Sequence, residues 1–274
     1  MGQLKFEPRT LDSDIVRDGL CAISKLEDSP VSRGLSFVVG GIATQSYLPT
    51  SCRRGTSDID LAVLSSHSYG DFKNFCKIAD EYLNDAGYYT QTNKGHNSHQ
   101  LIYFKGLDAG VIEFARRSAS NYERIRERLN REKKNTRRKI VEERDATYEV
   151  SSPEDIVVPK IVRSVGSLLR NPDFCSYVRG SKPLPLTDEC VSRELRYIKD
   201  LRNEATVHMG DVRLTERLRF VSDIFDIRVL SELVGFNEGY LEEAIASWDR
   251  LKGDNPVKVM LFNYLLPRMS THAD

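Results

Sequence analysis

Asp58 and Asp60 stand either side of Ile59 at the start of the apolar run Leu61-Ala62-Val63-Leu64. On an extended strand, side chains two residues apart return to the same face, so both carboxylates point to one spot with Cα atoms about 7 Å apart. Two carboxylates so placed suit a hard divalent cation, Mg²⁺ or Mn²⁺, whose remaining positions are filled by water and phosphate oxygens. Metal ions held in this way serve phosphoryl displacement. An isolated D-x-D also occurs where a strand start is simply solvated, so the weight falls on the residues before it.

Those residues are Phe37-Val38-Val39, an apolar strand running into Gly40-Gly41, then a helix-like stretch from Ile42 to Leu48 and a polar loop with Arg54-Gly55-Thr56-Ser57. Glycines at a strand end let a phosphate approach the backbone amides. The following helix would present its positive N-terminal end to that phosphate.

Strand, Gly-Gly, helix, polar loop and D-x-D strand together resemble the nucleotidyltransferase superfamily that includes DNA polymerase β. Within it the sequence is most similar to the AbiEii and MenT-like toxins of bacterial toxin and antitoxin pairs. Four segments carry that resemblance: Gly40-Gly41-Ile42-Ala43, Arg54-Gly55-Thr56-Ser57-Asp58-Ile59-Asp60, Pro153-Glu154-Asp155-Ile156-Val157-Val158-Pro159-Lys160, and Lys199-Asp200-Leu201. It implies an α+β fold: a polymerase β-like catalytic domain over 1–150, with a mixed sheet flanked by helices, and a mostly α-helical domain over 151–274.

The resemblance also implies roles. Asp58 and Asp60 would hold metal, and a third carboxylate on a neighbouring strand would complete the site and act as base. Glu113, between Ile112 and Phe114, matches that description better than Asp108, which falls in the turn expected over Gly106 to Gly110. Gly40, Gly41, Arg54, Thr56, Ser57, Lys160 and Arg163 would bind the NTP, and Asp200 would help with the acceptor. Forty positions separate Lys160 from Asp200, more than the family pattern leads one to expect.

The reaction implied is transfer of NMP from an NTP, with RNA, most plausibly the 3′ end of tRNA, as acceptor and a cognate antitoxin protein as partner. Composition is compatible with that. Acidic and basic residues balance at 40 each, so overall charge selects no partner. Between Arg116 and Arg144, however, twelve Lys or Arg face five Glu, a local net charge of +7 that attracts polyanions. Arg124, Arg128, Arg131, Lys134, Arg137 and Arg138 are the candidate RNA contacts, against the plainer reading of a solvated helix with i,i+4 ion pairs.

No apolar run reaches the roughly 18 residues of a membrane span, and Met1 to Thr10 lacks a signal-peptide core, so a cytoplasmic protein without membrane contact is expected. Five cysteines without a C-x-x-C pair argue against a disulfide framework or zinc site. His67, His96 and His99 read as surface residues, and Trp248, Tyr240, Phe262 and Tyr264 as core packing.

Helices are expected over Leu11 to Leu26, Tyr69 to Ala86, a segment opened afresh by Pro159, Asp188 to Met209, Leu214 to Val234, Glu238 to Leu251 and Val257 to Leu266. Three other readings compete: an aminoglycoside-type small-molecule nucleotidyltransferase, an inactive fold serving as a binding or antitoxin module, and a HEPN-like ribonuclease using Arg202, Asn203 and His208.

Overall fold

The computed structural model describes residues 7–65, 69–94, 98–180 and 187–251. His67, His96, Phe262, Tyr264 and the helix expected over Val257 to Leu266 lie outside them. The chain forms two compact units, one of residues 1–46 with 53–152 and one of residues 47–52 with 153–274.

The first unit is an α+β layer structure. Its elements are α1 (Asp14–Asp28), β1 (Ser36–Val39), α2 (Gly40–Gln45), β2 (Ile59–Val63), α3 (Tyr69–Asp85), β3 (Tyr89–Lys94), β4 (Ser98–Lys105), β5 (Asp108–Ala115), α4 (Ala119–Lys134), β6 (Arg137–Ile140) and β7 (Thr147–Val150). The strands make one mixed seven-stranded sheet in the order β3-β4-β5-β2-β1-β7-β6. Pairs β1·β7 and β2·β5 are parallel and the others antiparallel.

Alternation along the strands divides the sheet into two faces. Ile59, Leu61, Leu101, Tyr103, Ile112 and Phe114 are buried on the face that α1 and α3 cover. His99 belongs to that face too. It is 3% exposed with its ring stacked on Phe72 at 4.1 Å, which corrects the expectation of a surface histidine: the period of two that buries Leu101 and Tyr103 buries His99 with them. On the opposite face, α4 lays Leu129, Tyr122 and Ile125 over Phe37, Val39 and Ala62.

Three local differences from the sequence reading matter for the site. The turn expected over Gly106 to Gly110 is a two-residue hairpin, because Lys105 already pairs with Asp108 and Gly106 alone takes the positive φ of +65°. The helix expected over Ile42 to Leu48 begins at Gly40 and spans six residues. The basic stretch stays helical only to Lys134 and then forms the β6–β7 hairpin, whose charged residues Arg137 and Arg138 occupy a sheet edge, a placement that discourages edge-to-edge pairing.

The second unit is helical: α5 (Pro153–Arg170), α6 (Cys175–Gly180), α7 (Asp188–Val207), α8 (Val212–Leu233) and α9 (Glu238–Ala246). Helix α5 packs on α8 and α9, and α7 on α8. The helix does not restart at Pro159 but runs through it. Pro159 cannot donate to the Asp155 carbonyl, a defect worth about 3 kcal/mol in an isolated helix. Ile156, Val157 and Val158 before it and Ile161, Val162 and Val165 after it are all buried, and their packing outweighs the missing bond. Among the described residues, no helix is long and apolar enough to cross a membrane.

Two glycines hold α1 against the sheet. The Tyr103 ring fills space where a Cβ on Gly19 of α1 would stand 2.2 Å from its hydroxyl and one on Gly110 of β5 would stand 2.4 Å from its Cζ. That hydroxyl donates to the Ile15 carbonyl at 2.7 Å. Gly19→Ala is therefore expected to destabilise the protein by about 1–3 kcal/mol through overpacking, read as a lower urea midpoint at unchanged slope.

Candidate metal and phosphoryl-transfer site

The site is built by register. Strands β2 and β5 run parallel side by side with Asp60 opposite Glu113, and Asp58 precedes Asp60 by two residues on the same face. The three half-buried residues each offer a carboxylate oxygen, and these oxygens lie within 4.8 Å of one another. An octahedral Mg²⁺ with oxygens at about 2.1 Å needs neighbouring ligand atoms roughly 3 Å apart, so small side-chain rotations bring this set to a shared ion. The all-oxygen, all-anionic donor set fits such a cation.

Several contacts fix these carboxylates. The Thr56 hydroxyl donates to Asp58 Oδ1 at 3.0 Å. Thr56 is itself held by a two-way backbone bridge with Arg9, at 2.8 and 2.9 Å. Gly40, at a φ of +72°, leaves the room that Asp60 occupies, since a Cβ there would meet Asp60 Oδ2 at 2.1 Å. A Cβ on Gly41 would lie 2.9 Å from Thr56 Oγ1. The glycine pair thus clears space for the carboxylate and the threonine, a reason for it that phosphate approach alone does not supply.

Burial pushes the Asp58 carboxyl above its ordinary range, and the Glu113 charge pushes it further. The Thr56 hydrogen bond and the Arg54 guanidinium oppose both. A carboxylate raised in the folded state binds its proton more tightly than in the unfolded chain. Without metal, this group therefore costs stability that accumulates as pH rises from its unfolded to its folded pKa, is fully present above the folded value, and is gone below the unfolded one.

Asp108 does not belong to this group. It opens β5, lies on the opposite face from Glu113 by strand alternation, and accepts from Arg9 at 2.7 Å. Ser57 is exposed and Arg54 half-buried in the loop before β2.

Gln100 was not foreseen. It lies opposite Glu113 on β4 and donates to Glu113 Oε1 at 3.4 Å, while Asn93 on β3 donates to Gln100 Oε1 at 3.1 Å. The sequence signal was available: counting outward from a two-residue turn at Gly106-Leu107 pairs Gln100 with Glu113, whereas the longer turn hides the pairing.

The remaining candidates lie in the helical unit. Lys160 is 2% exposed, with Nζ 2.7 Å from Asp226 Oδ2 and 3.5 Å from Asp223 Oδ1. Arg163 forks onto both Asp223 oxygens at 2.9 and 2.8 Å. Lys160 is thus enclosed by its carboxylate partners, whereas Arg163 pairs with Asp223 while its side chain stays 46% exposed. Asp200 is exposed on α7, Arg202 is half-buried there, and His208 caps the helix in solvent.

Of the candidate RNA contacts, Arg124, Lys134, Arg137 and Arg138 are exposed, and Arg131 is half-buried. Arg128 is half-buried and pairs with Glu132 at 3.5 Å.

No protein-family model matches the sequence, and no curated protein matches it. Among solved structures, an antigenic nucleotidyltransferase-like protein from Paracoccidioides brasiliensis is similar at 15% identity and a TM-score of 0.39, over 77% of this chain and 95% of that one. A likeness at that level carries no assignment, and the functional reading rests on the carboxylate geometry.

Two outcomes follow. In EDTA at neutral pH, Asp58→Asn should raise the melting temperature by removing a largely desolvated charge and its repulsion from Glu113, while added Mg²⁺ should stabilise the wild type and not the variant; thermal denaturation with and without metal reads both. Lys160→Ala leaves Asp226 and Asp223 partly uncompensated in the interior and should cost about 3–5 kcal/mol in denaturant unfolding.

Proposed function

We propose that this protein is a divalent-metal-dependent nucleotidyltransferase that moves NMP from an NTP to a hydroxyl acceptor and releases pyrophosphate. The observation that carries the reading is the meeting of Asp58, Asp60 and Glu113 on one face of neighbouring parallel strands. Three carboxylates in that space repel one another unless a cation lies among them, and phosphoryl transfer is chemistry that such a cation serves.

Asp58, Asp60 and one oxygen of Glu113 would hold the cation, which when bound would neutralise charge on the triphosphate and help align acceptor and leaving group; the second Glu113 oxygen is left for the proton. Thr56 keeps Asp58 turned toward the site. Glu113, steadied by Gln100, takes the proton of the acceptor hydroxyl as that oxygen bonds to the α-phosphorus. The bond from the α-phosphorus to its bridging oxygen breaks, and its electron pair leaves with pyrophosphate.

The proposed acceptor is RNA, in the first instance the 3′ end of tRNA, where an added nucleotide blocks translation in the manner of a toxin. Its support within this chain is the basic helix α4, which lies on the sheet face that also bears the carboxylates and exposes Arg124 and Lys134. A cognate antitoxin would be the partner that restrains such an activity.

Incubation with total tRNA, Mg²⁺ and each labelled NTP in turn tests the proposal. Label should enter RNA with at least one NTP, and Asp58→Ala with Asp60→Ala should abolish it, as should EDTA. Glu113→Gln is expected to lower kcat by about 10²–10⁴-fold, the usual worth of a general base. Label that persists in the double variant would refute the assignment.

A further inference from the structure

On the carboxylate face of β3, β4 and β5, several described residues retain exposure, although Ala109 and Ser98 on that face are buried. Along β4, Gln100, Ile102 and Phe104 are half-exposed while Leu101 and Tyr103 between them are buried; on β5, Val111 and Glu113 are half-exposed and Ala109, opposite Phe104, is buried. Tyr89 on the edge strand β3 is 71% exposed, and its ring stacks on Phe104 at 5.8 Å and 26°. The ring of Tyr89 is thus available to a ligand, whereas Phe72, Phe75 and Phe114 of the opposite face are closed in the core.

Register connects this ring to the carboxylates. Asn93, Gln100, Glu113 and Asp60 form one transverse row across four strands, and their side chains emerge on one face. Tyr89 and Phe104 form a second row on the same face, four residues away, or about 13 Å along the strands, with Gln91 exposed between. From β3 to β5 is about 10 Å across. The two rows are therefore separated by the span of a few nucleotides, with amide groups that donate and accept hydrogen bonds along the way.

We propose that this face is a binding track for a single-stranded nucleic acid, with a base stacked on Tyr89 a few nucleotides back from the end presented to Asp58, Asp60 and Glu113. The inference deepens the nucleotidyltransferase reading and rests on it for the location of the reacting end. Three features favour this occupant over a protein strand docking on the β3 edge. An exposed ring offers its π-face to any base. Asn93 and Gln100 carry the donors and acceptors that base edges use. Helix α4, on the same sheet face, supplies exposed cations for phosphates.

The test separates binding from chemistry. Fluorescence anisotropy of a labelled single-stranded RNA pentanucleotide is measured in EDTA, where no transfer occurs, for the wild type, Tyr89→Ala and Tyr89→Trp. Tyr89→Ala should weaken binding by roughly tenfold or more, Tyr89→Trp should restore it, and a duplex of the same sequence should bind more weakly than the single strand. Matching melting temperatures for the three proteins exclude unfolding as the cause.

Equal affinity in Tyr89→Ala and wild type overturns the track, as does protection of Tyr89 by a protein partner but not by the oligonucleotide. The two claims fail separately. Binding that depends on Tyr89 without label transfer from any NTP removes the catalytic reading and keeps the track, and label transfer indifferent to Tyr89 does the reverse.

Discussion

Mutual repulsion of three carboxylates is the constraint around which the first unit is arranged. At the 4.8 Å limit that contains their oxygens, each pair costs about 3 kcal/mol at an intermediate dielectric. Backbone pairing of β2 with β5 does not let them separate, because Asp60 and Glu113 are directly opposed and Asp58 shares their face. Surrounding residues tighten the arrangement: Gly40 gives Asp60 its space, Thr56 holds Asp58, and Gln100 reaches Glu113 from the far side. A sheet that concentrates negative charge at this cost is suited to a cation and the phosphates it brings.

The helical unit handles charge differently. Lys160, Asp223 and Asp226 are buried together in a bundle whose apolar layer includes Phe220, Ile224 and Phe225, and Arg163 reaches Asp223 from the half-exposed rim. Such a network contributes little net stability, yet removing one member is expensive, because the others are left charged in a poor solvent for charge. The same reasoning accounts for Lys160 in an otherwise apolar stretch of α5: Asp223 and Asp226 are what keep its charge there.

The sequence was most legible where one periodicity acted alone. The D-x-D strand, the apolar strand before Gly40 and the amphipathic α1 follow from alternation or helical spacing; the helical C-terminal part follows from the helical spacing beyond Ser152, while the α+β class was what the nucleotidyltransferase resemblance implied. Glu113 was found as a carboxylate between two apolar residues, a pattern with one structural meaning on a half-buried strand. Where two effects competed, local reading failed. Pro159 was taken to break the helix because its backbone cost is visible in sequence and the burial that overrides it is not. The β6 strand was hidden by Arg137, Arg138 and Lys139, charges that suit a sheet edge but mimic a solvated helix. Gln100 depended on the length of one turn, and three residues of error there erased its pairing with Glu113.

The central claim is that Asp58, Asp60 and Glu113 form one cation site. Its most direct test is a crystal grown with Mn²⁺ and measured for anomalous scattering. The account predicts a peak among the three carboxylates, about 2.0–2.3 Å from an oxygen of each, that vanishes in Asp60→Asn. An ordered site in which the three carboxylates are resolved, Mn²⁺ is bound elsewhere on the protein and no peak lies among them would contradict it.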